Sequence, residues 1–459
     1  MVTDRLDVFV IGGGGTGSEI VGRIASAGEM RVGMAERDRL GGECNWYGCV
    51  PSKVMLRSAK IAALARAAGA FGVRIGSVEV DFDAVRARVR RIIEQNTSQG
   101  ARPFTDKGAR VILDEVRVTG PNELETASGE RILADHIVFA TGTEAVIPPI
   151  DGLGDGPYWT NKEAIWHSAG VPSSLVVIGG GPIGVEFAQI YSRFGSRVTI
   201  VEASDRVLPP EDEDSGTAIR EALEADGIDI LTGAEIASAR HSTEGWRVEI
   251  AGRAPLNADA VLVATGRRPV FDGHDLDAIG MKLDDKGKPV LNETLRTTAP
   301  NVWAAGDATG ELLFTHVGGY EAELVVDDIG GKPRARDYRV VPKVTYCDPE
   351  VASVGLSESA AREVGHDVIT SLLRLADNER ALMEGKPEGH VKLVADARTG
   401  ELLGGHIVGE GAGEMIHEIV VAMAGRVPLR AAADAIHAYP TISEAVRGAF
   451  GQLAETLDR

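Results

Sequence analysis

Cys44 and Cys49, two of the three cysteines in the chain, stand with four residues between them in GGECNWYGCVPSK, residues 41–53. Two thiols at this spacing can form a structural bridge, bind a metal ion or act as a redox couple. A closed zinc site takes four cysteine or histidine ligands, and the sequence has no second cysteine cluster, which argues against metal. Residues five apart in an ideal α-helix have Cα atoms roughly 8 to 9 Å apart, beyond the ~7 Å limit for bridging. The segment must therefore leave regular helix if the thiols are to meet, and Gly48 supplies the freedom. The following SKVMLRSAKIAALARAAG reads as a helix with Pro51 in its first turn. Cys49 then falls near a helix N-terminus, where the dipole stabilises a thiolate. Lys53, about one turn on, could support that charge.

The 459 residues, 44% hydrophobic and 25% charged, carry a formal net charge of -20 with 68 acidic against 48 basic residues. Length predicts about three domains on a prior of roughly 150 residues each. The acidic balance excludes nucleic acid and anionic membrane surfaces as expected partners. Short basic clusters such as RARVRRI (86–92) read as a solvated helix face. MVTDRLDVFVIGGGG enters an apolar strand without a signal-peptide pattern, and no run of eighteen apolar residues offers a membrane span. A cytoplasmic protein is the expectation. In a reducing compartment a close cysteine pair is more readily catalytic or metal-binding than structural.

Something must hold such a pair and supply its electrons. DVFVIGGGGTGSEIVGRIASAGEMRVGMAER (7–37) is an apolar strand, a glycine turn, a helix and a second strand ending in an acid, and SLVVIGGGPIGVEFAQIYSRFGSRVTIVEAS (174–204) repeats that order. GxGxxG falls on Gly12, Gly14 and Gly17 with Glu36 twenty-four residues after the first, and on Gly179, Gly181 and Gly184 with Glu202 twenty-three after the first. A lone glycine motif is weak, but here strand, helix and distal carboxylate accompany both copies, the context of dinucleotide binding. The glycines let backbone approach a pyrophosphate at the helix N-terminus, and Glu36 and Glu202 can each accept from a ribose diol. Two dinucleotide sites in one chain suggest hydride transfer between a nicotinamide and a flavin, and Lys53 could equally support an anionic reduced flavin. Glu202 would repel a 2'-phosphate, favouring NADH over NADPH, with Arg206 nearby as the counter-indication.

Each nucleotide unit runs on into a strand ending in ATG, at HIVFATGTEAVIPPIDGL (136–153) and AVLVATGRRPV (260–270), and these read as crossovers between domains. NVWAAGDATGELLFTH (301–316) places Asp307 after a strand in a glycine-flanked loop suited to a polar ligand chain. From about residue 340, alternating strands (VPKVTYC, GHVKLVAD, LLGGHIVG) give way to apolar helices (AGEMIHEIVVAMAG, TISEAVRGAF), an α+β pattern.

The ordered set GGECNWYGCVPSK, both nucleotide units, both ATG segments, AAGDATG, THVGGYEAE, DPEVASVGLSE and HAYPTISEA resembles, over essentially the whole chain, the class I pyridine nucleotide-disulfide oxidoreductases, which include dihydrolipoyl dehydrogenase, glutathione reductase and mercuric reductase. The resemblance implies an α/β protein with two Rossmann-like FAD- and NAD(P)-binding domains and a C-terminal α+β dimerisation domain. The expected boundaries are 1–145 and 269–339 for the FAD site, 146–268 for NAD(P) and 340–459 for the interface. It implies FAD on Gly12, Gly14, Gly17 and Glu36, with Asp307 on the ribityl chain and Thr315 and His316 beside the isoalloxazine, and NAD(H) on Gly179, Gly181 and Glu202. Arg37, Gly42, Lys53, Thr141, Gly142, Gly306, Ile183, Gly266 and Arg268 complete the implied cofactor contacts. Cys49 would face the flavin, Cys44 would exchange with substrate, and Lys53 would pair with Glu186. The implied cycle takes hydride from NADH to FAD, electrons into the Cys44–Cys49 disulfide, then thiol exchange from Cys44, with lipoamide-type members running in reverse. A homodimer is implied, since the C-terminal domain brings proton-transfer residues to the partner's flavin.

The sequence departs from the family pattern at Tyr439, which stands where disulfide-reducing members have the acid-base histidine held by the glutamate at the position of Glu444. Tyrosine, with a reference pKa of ~10, is a weak base near pH 7, though it could donate a proton, orient substrate or contact a metal ion. His437, two residues earlier, would share Tyr439's side of an extended stretch, and is either a substitute base or a packing residue. Mercuric reductase-like members usually carry a C-terminal cysteine pair, and this chain ends FGQLAETLDR. Cys347 reads as a small strand residue. Trp46 and Tyr47 either shape access to Cys44 or simply pack. The first expectation is an FAD-dependent NADH disulfide or dithiol oxidoreductase resembling dihydrolipoyl dehydrogenase. A reductase of metal ions, quinones or other electrophiles on the same flavin-dithiol centre is the alternative, and a non-turnover redox sensor or complex subunit is a third.

Overall fold

The computed structural model describes residues 5–167 and 170–458. The chain divides into two compact units, one of Met1–Val54, Ala84–Val146 and Gly266–Asp337, the other of Met55–Asp83, Ile147–Thr265 and Tyr338–Arg459.

The first unit is built on a seven-stranded sheet. Arg5–Ile11 lies parallel to Val32–Ala35 on one side and Arg131–Phe139 on the other, with Val8 opposite both Val32 and His136. Arg110–Ile112 extends the parallel set beyond Val32–Ala35. Val302–Ala304 pairs with the end of Arg131–Phe139, while Glu123–Thr126 and Val116–Gly120 continue antiparallel. The unbroken apolar run of the first strand follows from burial on both faces. Val8 and Val10 pack with Ile20, Val21 and Ile24 of the helix Gly15–Ala27 and with Leu324 and Val325 of the helix Thr315–Ile329. Phe9 and Ile11 meet Leu124, Phe139 and Phe271 on the other face. Each such side chain contributes roughly 1.5–3 kcal/mol by leaving water, so the ligand-bearing loops at the strand ends stand on a stiff floor.

The second unit holds a four-stranded parallel sheet in the order Asp229–Leu231, Arg197–Val201, Ser174–Ile178, Ala260–Val263. It also holds a three-stranded antiparallel sheet over Ile236–Ser242, Gly245–Ile250 and Leu256–Ala258. A five-stranded antiparallel sheet runs in the order Pro342–Thr345, Glu350–Gly355, Leu402–Gly409, His390–Asp396, Val368–Arg374. The helices Ala412–Ala424 and Glu444–Leu457 bury Ile416, Ile419, Phe450 and Leu453 against Val391, Leu393 and Ile407 of that sheet. Its opposite face carries a small apolar cluster with Val394 and a buried cation: Lys392, 5% exposed, is bonded to Asp212 at 2.9 Å and to Asp214 at 2.6 Å. Cys347, expected in a strand, lies just beyond the end of Pro342–Thr345. It is fully buried, its thiol donates to the Pro349 carbonyl at 3.1 Å, and burial pushes that thiol up. Among the described residues no helix is long and apolar enough to cross a membrane.

Candidate active site

The two glycine turns have the same construction. Gly12 has φ +107°, and a Cβ there would lie 2.2 Å from the Ala140 carbonyl oxygen, while one on Gly17 would lie 1.9 Å from that of Gly12. In the second copy Gly179 has φ +109° and a Cβ would lie 2.4 Å from Ala264 O, and one on Gly184 2.0 Å from Gly179 O. The outer glycines thus close the turn. The middle one is different: a Cβ on Gly14 meets nothing nearer than 3.8 Å, and one on Gly181 meets nothing within 4 Å. Open ground at the head of two thirteen-residue helices, whose caps Gly14 and Gly181 offer no side-chain bond, is the arrangement a pyrophosphate needs.

The distal acids match as closely. Glu36 accepts from Gly13 N–H and Asp38 N–H, both at 2.8 Å. Glu202 accepts from Gly180 N–H at 2.6 Å and Ser204 N–H at 2.7 Å. Each carboxylate keeps lone pairs for ribose hydroxyls. Arg206 is engaged elsewhere, donating to the carbonyls of Pro209 at 2.9 Å and Glu211 at 3.3 Å. Ile183 is the second residue of the helix Pro182–Phe194. Thr141, beside the Gly12 turn, has a buried hydroxyl oxygen with no bonding partner, and Gly142 (φ +69°) and Gly266 (φ +120°) would have open space around a Cβ. Arg37 lies 3.9 Å from Glu115. Arg268 is bonded to Glu144 and, at 3.0 Å, to Asp272.

The redox segment leaves regular helix between its cysteines, as the bridging argument requires: Gly42–Trp46 is one short helix, and Cys49 opens the next, Cys49–Ala67. Gly42 backs onto the first glycine turn, where a Cβ would come within 2.7 Å of the Gly14 Cα. Cys44 is half-buried and Cys49 exposed. The Thr315 hydroxyl lies 3.4 Å from the Cys44 sulfur, to which it donates, and 3.6 Å from the Cys49 sulfur. The Cys44 thiol is held well above the ordinary thiol range, chiefly by the adjacent Cys49 sulfur and then by burial, with Thr315 acting in the opposite sense. Trp46 donates to the Leu40 carbonyl at 2.9 Å beneath the Arg39 guanidinium, and Tyr47 donates to Asp38 at 2.9 Å. The two aromatics pin the segment to the loop that follows Glu36.

Four further residues, Arg267, Glu43, Thr143 and Glu321, were not singled out by sequence. Arg267 pairs with Glu43 at 3.1 Å and donates to the Thr143 hydroxyl at 2.8 Å; that hydroxyl in turn donates to Asp307 at 3.4 Å. The chain Glu43–Arg267–Thr143–Asp307 joins the cysteine segment to the expected ribityl contact. Burial raises the Asp307 carboxyl, and Arg267 and Thr143 work against that rise. Glu321, fully buried, accepts from Gly306 N–H at 2.5 Å and holds the Asp307 turn. Their sequence signals were present in ATGRRPV and THVGGYEAE, but nothing in either stretch names its partner. His316 is exposed and stacks on Phe314 with centroids 5.4 Å apart.

In the second unit Glu186, 4% exposed, accepts from Tyr346 N–H at 3.0 Å; Lys53 belongs to the first unit. The proton-handling candidates differ from expectation. Tyr439 is 69% exposed and donates to Glu379, while Glu444, expected to hold this position, accepts from Thr441 N–H at 3.2 Å. His437 does not share Tyr439's partner: its Nε2 faces Glu418 at 2.8 Å and its Nδ1 faces the Ala435 carbonyl at 3.0 Å. Both of its ring nitrogens thus face oxygen atoms of the chain.

The family model for pyridine nucleotide-disulphide oxidoreductase matches residues 6–322, and that for the dimerisation domain of the same family matches residues 341–450. Dihydrolipoyl dehydrogenase of Chlorobaculum tepidum is 36% identical over 455 residues, 97% of this chain and 96% of that protein. Mercuric reductase of Bacillus cereus is 34% identical over 447 residues, 96% of this chain and 70% of that protein. Among solved structures, the HOCl-induced flavoprotein disulfide reductase RclA from Escherichia coli superposes with a TM-score of 0.88 at 29% identity, covering 97% of this chain and 99% of that one. Its Cu(II) complex gives 0.89 at 29% identity, covering 98% and 100%. With two glycine turns, two clamped carboxylates and a thiol pair on one threonine hydroxyl, the chain belongs to the class I pyridine nucleotide-disulfide oxidoreductases, enzymes that depend on FAD and use NAD(H).

Proposed function

We propose that the protein is a homodimeric NADH-dependent disulfide or dithiol oxidoreductase of the dihydrolipoyl dehydrogenase type. The observation that carries this reading is the pair Cys44 and Cys49 on the shared Thr315 hydroxyl, at the head of a helix and against the first glycine turn. FAD, when bound, supplies the carrier between the nicotinamide and the disulfide. Gly12, Gly14 and Gly17 would admit its pyrophosphate, Glu36 its ribose, and Asp307, Thr141 and Gly142 the remainder of its polar chain, with Lys53 near the ring. Gly179, Gly181 and Glu202 hold the nicotinamide dinucleotide. NADH is favoured because Glu202 presents negative charge where a 2'-phosphate would lie, and Arg206, engaged on two carbonyls, does not offset it.

On the protein side, reduction breaks the Cys44–Cys49 bond and leaves a thiolate at Cys49, at the helix head, and a thiol at Cys44. Once Cys44 gives up its proton, its sulfur attacks a substrate disulfide and the departing thiolate takes a proton. Cys49 then attacks the mixed disulfide, releasing the second thiolate, which takes a proton from solvent, and restoring the bridge. Because Cys44 holds its proton tightly, the exchange depends on a proton carrier.

A second reading changes the acceptor to a metal ion, quinone or other electrophile. It is favoured by the replacement of a histidine held by Glu444 with Tyr439 on Glu379, and by relatives named for mercuric ion and a neighbour solved with Cu(II). The deciding experiment titrates the flavin-loaded protein anaerobically with NADH, follows the long-wavelength absorption of a thiolate beside oxidised flavin, and then measures turnover with lipoamide, glutathione disulfide, mercuric ion and a benzoquinone. Fast mercuric or quinone turnover with negligible lipoamide turnover would overturn the first reading in favour of the second.

A further inference from the structure

We propose that Glu379 is the positioning residue for Tyr439, so that protons in the acceptor half of the cycle pass through a Tyr439–Glu379 pair. The proposal rests on the disulfide-exchange reading above. Tyr439 Oη donates to Glu379 Oε2 at 2.5 Å across sixty residues of sequence. A second bond fastens the same two segments: Asn378, which caps the helix Glu379–Met383 by accepting from Ala381 N–H at 3.0 Å, donates its amide to the Thr441 carbonyl at 3.2 Å. Glu444, at the position of the family's glutamate, accepts from Thr441 N–H at 3.2 Å, and His437 faces Glu418 at 2.8 Å. The hydroxyl is exposed and its oxygen retains acceptor lone pairs.

The charged groups acting on Tyr439 are Glu379, the dominant one, and Glu444; both are carboxylates and both raise the phenol above its usual range. The hydroxyl therefore keeps its proton and works only as one link in a relay. When a thiol approaches, its proton moves to the phenolic oxygen as the phenolic proton moves to Glu379 Oε2, leaving a thiolate, a neutral phenol and a protonated carboxyl. After the thiolate sulfur has bonded to the substrate and the substrate S–S bond has broken, the reverse shift protonates the departing thiolate. The proton count is unchanged and no further reagent enters.

The test uses the full-length flavin-loaded protein and the variants Glu379→Gln, Glu379→Asp, Tyr439→Phe and the Gln/Phe double. NADH-driven lipoamide reduction is expected to lose about tenfold or more in kcat with little change in KM for Glu379→Gln. Tyr439→Phe should lose as much, the double no more than either single, and Glu379→Asp should recover part. Reduction of the bound flavin by NADH without acceptor should be unchanged in every variant; loss of that step already in the unmodified protein would count against the proposed function and leave the pair to the next measurement. Ultraviolet titration, referenced to Tyr439→Phe, should show the Tyr439 phenol ionising at lower pH in Glu379→Gln than in the parent. Unmoved kcat, additive losses or, where the parent does not turn over lipoamide, coincident phenol titrations would overturn the pair.

Discussion

Replacing Thr315 with valine removes one hydroxyl and keeps the volume, and the sharpest expectation from the site concerns what this does to Cys44. The hydroxyl donates to the Cys44 sulfur at 3.4 Å, so it stabilises the thiolate more than the thiol and holds the thiol pKa down. A hydrogen bond to a charged acceptor contributes ~1.5–3 kcal/mol. Thr315 is exposed and sulfur accepts weakly, so the low end, about 1.5 kcal/mol, is appropriate, which is about one pKa unit. In a Cys49→Ser background, where only one sulfur reports, the pH profile of Cys44 alkylation by iodoacetamide should move upward by about one unit in Thr315→Val, slowing modification at neutral pH about tenfold. The plateau at high pH, where all of the sulfur is thiolate, should stay in place, which separates ionisation from access. A profile that does not move, or moves downward, refutes the assignment of the hydroxyl as donor to Cys44.

Glu202→Gln keeps an acceptor for the ribose and discards the charge, and should raise the ratio of kcat/KM for NADPH over NADH about tenfold or more; equal losses with both would dissociate Glu202 from selectivity. Gly184→Ala forces a Cβ to 2.0 Å from Gly179 O and should lower Tm, whereas Gly181→Ala, with open space, should keep Tm and raise the KM for NADH; differential scanning and steady-state kinetics on the pair read this directly. Burial lowers both His274 and His390 to a pKa of about 4. With unfolded values near ~6.5, the unfolded chain binds protons that the folded one refuses between roughly pH 6.5 and 4. Stability is therefore fully present above that window and falls through it on acidification. Urea midpoints at pH 7 and pH 5 should show the decline, and His390→Gln should make it shallower.

The strand-turn-helix units were legible because every signal they carry is local: a glycine needed by a turn five residues long, and an acid one strand away. The departure from helix between Cys44 and Cys49 was legible for the same reason, being a matter of Cα geometry over five residues. The partners of those residues were not. Arg267 reaches Glu43 and Glu379 reaches Tyr439 across long stretches of chain, and nothing local tells one surface glutamate from another. Glu444 stands at the position of the glutamate that holds the family's histidine. Its carboxylate closes its own turn through Thr441 N–H, and the phenol, longer than an imidazole, reaches a different acid. His437 and Tyr439 reach different acids, Glu418 and Glu379, which the local sequence does not name.

The two N–H bonds on Glu36 and on Glu202 bear on more than where a ribose sits. A free glutamate loses up to ~1.5–2 kcal/mol of rotamer freedom when it is fixed, and in these turns that loss falls on folding, before any nucleotide arrives. A dinucleotide bound as proposed would meet an acceptor already immobile, so recognition of its sugar would add little ordering entropy to association. Discrimination between a hydroxyl and a phosphate at that point would be correspondingly rigid, since the acid has no other rotamer into which it can retreat without giving up its two N–H bonds to the turn.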